Sequence, residues 1–277
     1  MKDKKDRPAN LIKLRARPKL NSPIMLAAWP GVSNVAPITA SYLKNKMAFK
    51  ELAEIDAAYF FDPIGVLAKN NVVEAPQFPM SRFYYCKNPG SNDLILFIGD
   101  DQPATNNYQM AHCVLDLAFR FKASRVYTFA AALTRIHHTE PSRVWGVASS
   151  PDLIPELKQH DLLRNGNLQI AGLNGTLLGI ARERGIEGIC LVSEVPSYTS
   201  RIDNPMAALA IIQVLTEMIG INVDLGELTQ QASDTKERLK EVTARAMEEY
   251  IDYFTAPIWE SGEEDEEDED EEDEEED

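Results

Sequence analysis

Short apolar runs, each closed by Gly, Pro, Asp or Asn, alternate along this chain with longer stretches in which apolar positions recur every three or four residues. The first pattern predicts buried strands and the second amphipathic helices, the alternation of an α/β domain. The clearest unit lies between Asp93 and Val147. Residues 94–98 (LILFI) form a strand ended by Gly99-Asp100-Asp101-Gln102-Pro103, and 108–121 carry Ala111, Leu115, Ala118 and Phe119 at helical spacing. Residues 125–131 are a second buried strand, followed by a polar loop over 134–142 and a strand over 144–147. A strand, a covering helix and a second strand predict parallel pairing through a right-handed crossover. Ligands of such sheets bind where loops leave the carboxyl ends of the strands, here 99–103 and 133–141.

The same reading extends to both sides. Residues 23–28 form a first strand, broken by Trp29-Pro30-Gly31, and Asn34 caps a helix whose apolar face is Ile38, Tyr42 and Leu43 and which ends near Lys46. A strand includes Ile55, and 71–75 and 81–86 form a hairpin with a long connection. A short helix covers 151–159. Residues 168–171 make a strand that leads through Gly172-Leu173-Asn174-Gly175 into a helix over 176–184, and 188–193 form the last buried strand, with 194–198 as its exit loop. Asn204 caps a helix with Pro205 at its first position, where a missing N–H costs nothing. From 224 the chain is helical, with Leu239, Val242, Ala246, Tyr250 and Phe254 on one face, until Pro257 stops it. The expected organisation is a flexible basic arm over 1–21, one domain over 22–258 and a disordered acidic tail over 259–277.

Composition changes this picture at one place. The net charge of −16 includes an unbroken run of 15 acidic residues from Glu263 to Asp277, so the remainder of the 277-residue chain is near −1. Such a run repels itself and buries nothing. Cys86, Cys113 and Cys190 are an odd number without C-x-x-C spacing, so neither a disulfide framework nor a zinc site is expected, and the chain is placed in the reducing cytoplasm. The basic N-terminus is followed by no apolar signal region, and 206–221, the longest apolar stretch, is interrupted by Gln213, Thr216 and Glu217. No membrane association follows. Basic residues do not cluster among aromatics, and nucleic acid is not an expected partner.

The candidate chemistry is sparse. Gly172 and Gly175 at a helix start resemble a phosphate cradle, since glycines admit a ligand to free N–H groups, but the string matches neither G-x-G-x-x-G nor a P-loop and equally serves close helix packing. Asp100 and Glu194 follow buried strands, and as paired carboxylates across a sheet-end cleft they would suit acid–base work. Thr134 and Asn174 complete that cleft. His137 and His138 read as exposed loop histidines, no H-x-x-x-H or H-E-x-x-H ligand pair is present, and no G-x-S-x-G elbow exists. No residue is assigned a catalytic role, and neither cofactor nor metal is expected.

Several strings, in this order, resemble the PAC2 family of proteasome-assembly-chaperone-2-like proteins. They are Gly31 after the first strand, Gly99 and Pro103, Tyr108 opening a helix, Arg143-Val144-Trp145-Gly146-Val147-Ala148, Gly172-Leu173-Asn174-Gly175, Glu194-Val195-Pro196-Ser197-Tyr198, and Asn204-Pro205. The resemblance implies a three-layer α/β/α fold with a mostly parallel mixed sheet, similar to phosphorylase- or hydrolase-like proteins, and assembly into homo-oligomers. It implies a non-enzymatic assembly chaperone or scaffold that binds a protein partner. The alternative is a nucleotide- or small-molecule-binding hydrolase or ligase using the strand-end loops. Some prokaryotic relatives are grouped with the ATP-grasp superfamily, whose lysine-bearing phosphate loop is not found here. The ligand-binding candidates are then Gly31, Asp100, Thr134, Gly172, Asn174, Gly175, Glu194 and Tyr198. The family's eukaryotic chaperones end in a hydrophobic-Tyr-any residue motif, whereas this sequence ends in Glu and Asp, so C-terminal docking of that kind is not expected.

Overall fold

Ile24–Ala28 is apolar and buried at every position, as a strand covered on both faces must be. The computed structural model describes the backbone of residues 11–255. Residues 1–10, Pro257 and the acidic run lie outside the described residues, as do the side chains of Tyr250 and Phe254. In chain order the strands are β1 (Ile12–Leu14), β2 (Ile24–Ala28), β3 (Lys50–Ile55), β4 (Ala68–Lys69), β5 (Val72–Val73), β6 (Ser81–Cys86), β7 (Leu94–Gly99), β8 (Arg125–Thr134), β9 (Val144–Ala148) and β10 (Glu187–Pro196). The helices are α1 (Val35–Lys46), α2 (Asn107–Arg120), α3 (Ile154–Gln159), α4 (Gly172–Glu183), α5 (Pro205–Ile219) and α6 (Gly226–Thr255). The described residues up to 235 form one compact unit, which holds the sheet, and those from 236 to 255 belong to another.

Eight strands make one mixed sheet in the order β1-β3-β6-β7-β2-β8-β10-β9, with β7, β2, β8 and β10 mutually parallel at its centre. Successive side chains of a strand point to opposite faces. Thus Ile24, Leu26 and Ala28 join a core with α1 and α5, while Met25, Ala27 and Trp29 join one with α2 and α4. This is the expected three-layer α/β/α arrangement.

Four expectations change. Residues 94–98 and 125–131 are not neighbours: β2 lies between them, Met25 facing Ile95 on one side and Val126 on the other. Within the supposed arm, Ile12–Leu14 pairs antiparallel with Ala53–Ile55, and Leu11 is buried. The strand 81–86 pairs with β3 and β7, while Val72–Val73 turns back on Ala68–Lys69. Residues 168–171 join no ladder. Their alternation is real, but Leu168 and Ile170 use it to cover Leu178, Cys190 and Val192 with side chains. Asn204 caps α5 as expected, its Oδ1 accepting from the Ala207 N–H at 2.9 Å. Asn34 also stands at the N-cap of α1, but in a left-handed conformation its side chain caps no helix N–H and donates its amide to Asp203 at 2.7 Å.

Cys86, Cys113 and Cys190 are all buried. Burial pushes the Cys190 thiol from 9.0 up to about 12, against a lowering hydrogen bond from Thr128, and burial also raises Cys86. A raised thiol stabilises the fold fully below its unfolded value, and that contribution is lost as pH climbs from 9.0 towards 12. Because the thiolate is the reactive form, the native protein at pH 8 should react with a disulfide reagent such as DTNB far more slowly than a free thiol. Unfolding in guanidinium should restore the full rate, and fast native labelling of Cys190 would contradict this burial.

Candidate functional site

Strand lengths create a recess at the carboxyl end of the parallel strands. β8 pairs with β10 over its whole length, from Arg125 opposite Glu187 to Thr134 opposite Pro196. Its other edge pairs with β2 only from Arg125 to Thr128, because Trp29-Pro30-Gly31 leads the chain away. The gap beyond Thr128 is a cleft of about 570 Å³, within the range of small-molecule sites. It is lined by five consecutive residues of β8, 129–133, together with Gly31, Val32, Ala36, residues 168–172, Gln102, Asn174 and Val192. Consecutive strand residues alternate their faces, so a run of five presents the strand's backbone edge. No charged side chain lines the cleft; its polar side chains are the amides of Gln102, Gln169 and Asn174.

Gln102 holds two walls together. Its Nε2 donates to the Pro30 carbonyl at 2.6 Å, and its Oε1 accepts from the Leu173 N–H at 2.9 Å. That contact caps the start of α4, one of the helix's orphan donors. Gly172 adopts a positive φ of 70° there, and a Cβ would meet Gln102 Oε1 at 2.5 Å. Gln102→Ala should therefore leave the Leu173 N–H and Pro30 carbonyl unpartnered, at a cost of about 1–3 kcal/mol. Urea denaturation should show that loss, and limited proteolysis should show faster cleavage within 164–171. An unchanged midpoint and cleavage pattern would dismiss the clamp.

The structure gathers only part of the candidate set. Gly31, Gly172 and Asn174 line the cleft. Gly175 lies beneath its rim, where a Cβ would stand 2.0 Å from the Ile170 carbonyl oxygen; the glycine lets the incoming chain cross the helix. Asn174 is 6% exposed, and its Oδ1 is buried without a hydrogen-bond partner. Asn174 and Gly172 thus sit at a helix start as expected, where Gln102 caps the Leu173 N–H.

Thr134 and Glu194 are strand residues, because the β8–β10 ladder continues past the apolar stretches that marked those strands in the sequence. The Thr134 hydroxyl and Glu194 Oε2 are buried without partners. Glu194 is no partner of Asp100: β2 and β8 separate their strands, roughly 14 Å across three strand spacings. Asp100 instead grips Met80, its N–H donating to the Met80 carbonyl at 2.8 Å and its Oδ2 accepting from the Met80 N–H at 3.1 Å. The histidine expectation fails for His138, which is 2% exposed. The Tyr198 hydroxyl accepts from the His138 N–H at 2.8 Å and lies 2.9 Å from its Nδ1, tying the loop after β8 to the turn after β10. Tyr198 braces these loops outside the cleft. Among the described residues no group of three His, Cys, Asp or Glu side chains is placed to hold a metal.

Sequence reasoning missed Gln102 and the β8 edge. Gln102 lay inside a loop already marked as a site loop, whereas the free edge follows from which strand stops first and had no local signal.

A sequence model described as the PAC2 family matches residues 25–243. An uncharacterised protein of Methanocaldococcus jannaschii, MJ1210, is 25% identical over 227 residues, 80% of this chain and 84% of the relative. The crystal structure of Pyrococcus furiosus PbaB, an archaeal proteasome activator, aligns with a TM-score of 0.73 and 29% identity, covering 84% of this chain and 98% of that one. A PAC2 family protein from Streptomyces avermitilis aligns with a TM-score of 0.70 and 25% identity, covering 83% and 99%.

Proposed function

This chain belongs to the PAC2 family, and from that premise we propose that it is a non-enzymatic chaperone-like protein whose partner is a proteasome. The observation that carries this reading is the match to PbaB over nearly that protein's whole length, at 29% identity. The character of the cleft supports it. Its lining contains no titratable side chain, whereas acid–base and nucleophilic catalysis need such groups at hydrogen-bond reach.

The protein works in the cytoplasm, as buried cysteines and a body near neutral charge suit, and it self-associates. Among the described residues no helix is long and apolar enough to cross a membrane. The test is capture of partners by the tagged chain from its own cells, followed by addition of the chain to the purified proteasome of those cells. We expect proteasome subunits in stoichiometric amount and a changed rate of peptide hydrolysis. A preparation without proteasome subunits and an unchanged rate would overturn the reading.

A further inference from the structure

Two surfaces at one end of the sheet lack cover. The first is a ribbon between β3 and β6. The Ile64 N–H donates to the Gln77 carbonyl at 2.7 Å, the Gln77 N–H to Gly65 at 2.9 Å and the Glu74 N–H to Leu67 at 2.8 Å. Asn70 and Asn71, with φ of 51° and 63°, turn β4 into β5, the left-handed pair that a two-residue hairpin needs. Ile64, Val66, Leu67, Val72 and Val73 on this ribbon are between 47% and 72% exposed. A two-stranded ribbon with short strands is barely stable alone, and exposed apolar side chains gathered on so short a segment mark a contact surface. The second surface is the cleft, with the unpaired edge of β8 along one wall. A free strand edge is a template for another strand.

We infer that the occupant of the cleft is the ribbon of a second copy of this chain, each copy inserting its ribbon into the other. Charge fits: no charged side chain lines the cleft, and the only charges between Ile64 and Gln77, Lys69 and Glu74, lie 3.9 Å apart and compensate each other. Hydrogen bonding fits as well. The incoming backbone pairs with the edge of β8 beyond Thr128, where pairing with β2 has ended. Placement makes the contact reciprocal. Asp100, at the carboxyl end of β7, grips Met80 at the base of the ribbon, and the cleft opens at the carboxyl end of β8. Since β7, β2 and β8 are parallel, ribbon and cleft lie at the same end of the sheet. No ribbon residue lines the cleft of its own chain. A two-fold axis at that end brings each ribbon to the other cleft and closes the assembly as a dimer. Each contact then occurs twice, which doubles the area that one ribbon buries in one cleft.

This inference rests on the self-association proposed above. It is tested on the purified full chain, so its failure is read separately from capture of the proteasome. Sedimentation equilibrium at tens of micromolar should show a dimer. Val72→Lys combined with Val73→Lys, at positions already exposed and thus harmless to the fold, should weaken dimerisation at least tenfold. Mixing Val72→Cys carrying one tag with Leu133→Cys carrying another, then oxidising, should yield a disulfide between differently tagged chains. Either variant oxidised alone should give none. A monomer, an assembly of another size, a dimer untouched by the lysines, or no mixed disulfide would each overturn the inference.

Discussion

Trp29→Ala is expected to destabilise the protein by about 3–5 kcal/mol, the cost of emptying a large buried aromatic site. The indole is fully buried, with its ring 4.9 Å from that of Phe97. It fills the space that Gly99 leaves: a Cβ on that glycine would stand 2.5 Å from Trp29 Cδ1 and 2.7 Å from Nε1. For a domain of this size the loss corresponds to a fall in Tm of roughly 6–20 °C. Trp29→Phe should behave differently. It gives up part of the packing but removes an indole N–H that is buried without an acceptor, and such a donor costs about 1–3 kcal/mol. The two changes oppose each other, so this variant should stay within about 1 kcal/mol of the parent. Chemical denaturation of both variants checks the argument. A Trp29→Ala protein within 1 kcal/mol of the parent would show that the indole does not anchor the turn beside the cleft.

The second large effect separates two glycines of one helix. Helix propensity alone favours alanine over glycine by about 1 kcal/mol in an interior turn. At Gly179 nothing lies within 4 Å of the added methyl, so Gly179→Ala should stabilise by about 0.5–1 kcal/mol. At Gly175 the methyl would stand 2.0 Å from the Ile170 carbonyl oxygen, which is backbone and has no rotamer to yield. Overpacking of that kind costs about 1–3 kcal/mol and outweighs the gain in propensity. Gly175→Ala should therefore lower the denaturation midpoint and push 168–171 off α4, visible as a new protease-sensitive site there. Equal effects at the two positions, in either direction, would remove the crossing at Ile170 as their cause.

Fold class was legible because burial on two faces leaves a mark on every residue of a strand. The runs LILFI, RVYTFAA and GICLVS all became central strands, and Asn204 with Pro205 opened a helix as local capping chemistry requires. Where the reading failed, the deciding partner was far away in sequence. Residues 12–14, Ile-Lys-Leu among flanking charges, are too short a run to announce a strand, and become one by pairing with 53–55. His138 stands in a polar loop, and is buried by Tyr198, sixty residues later. Glu194 looked like a loop carboxylate because backbone hydrogen bonds to β8 extend the strand beyond its apolar core, and a ladder reads no side chains.

The site divides in the same way. The sequence alone marked the loop after β7 and the glycine-flanked start of α4, each a local break in periodicity, and both line the recess, through Gln102 and Gly172. Only the tertiary structure decided that β8 outruns β2, that Gln102 joins their neighbouring loops, and that Asp100 and Glu194 are kept apart by two intervening strands. The physical reason is that strand order, and the lengths over which neighbouring strands stay paired, arise from contacts between distant segments. Periodicity records which face of a segment is buried, and carries no information about which segment buries it.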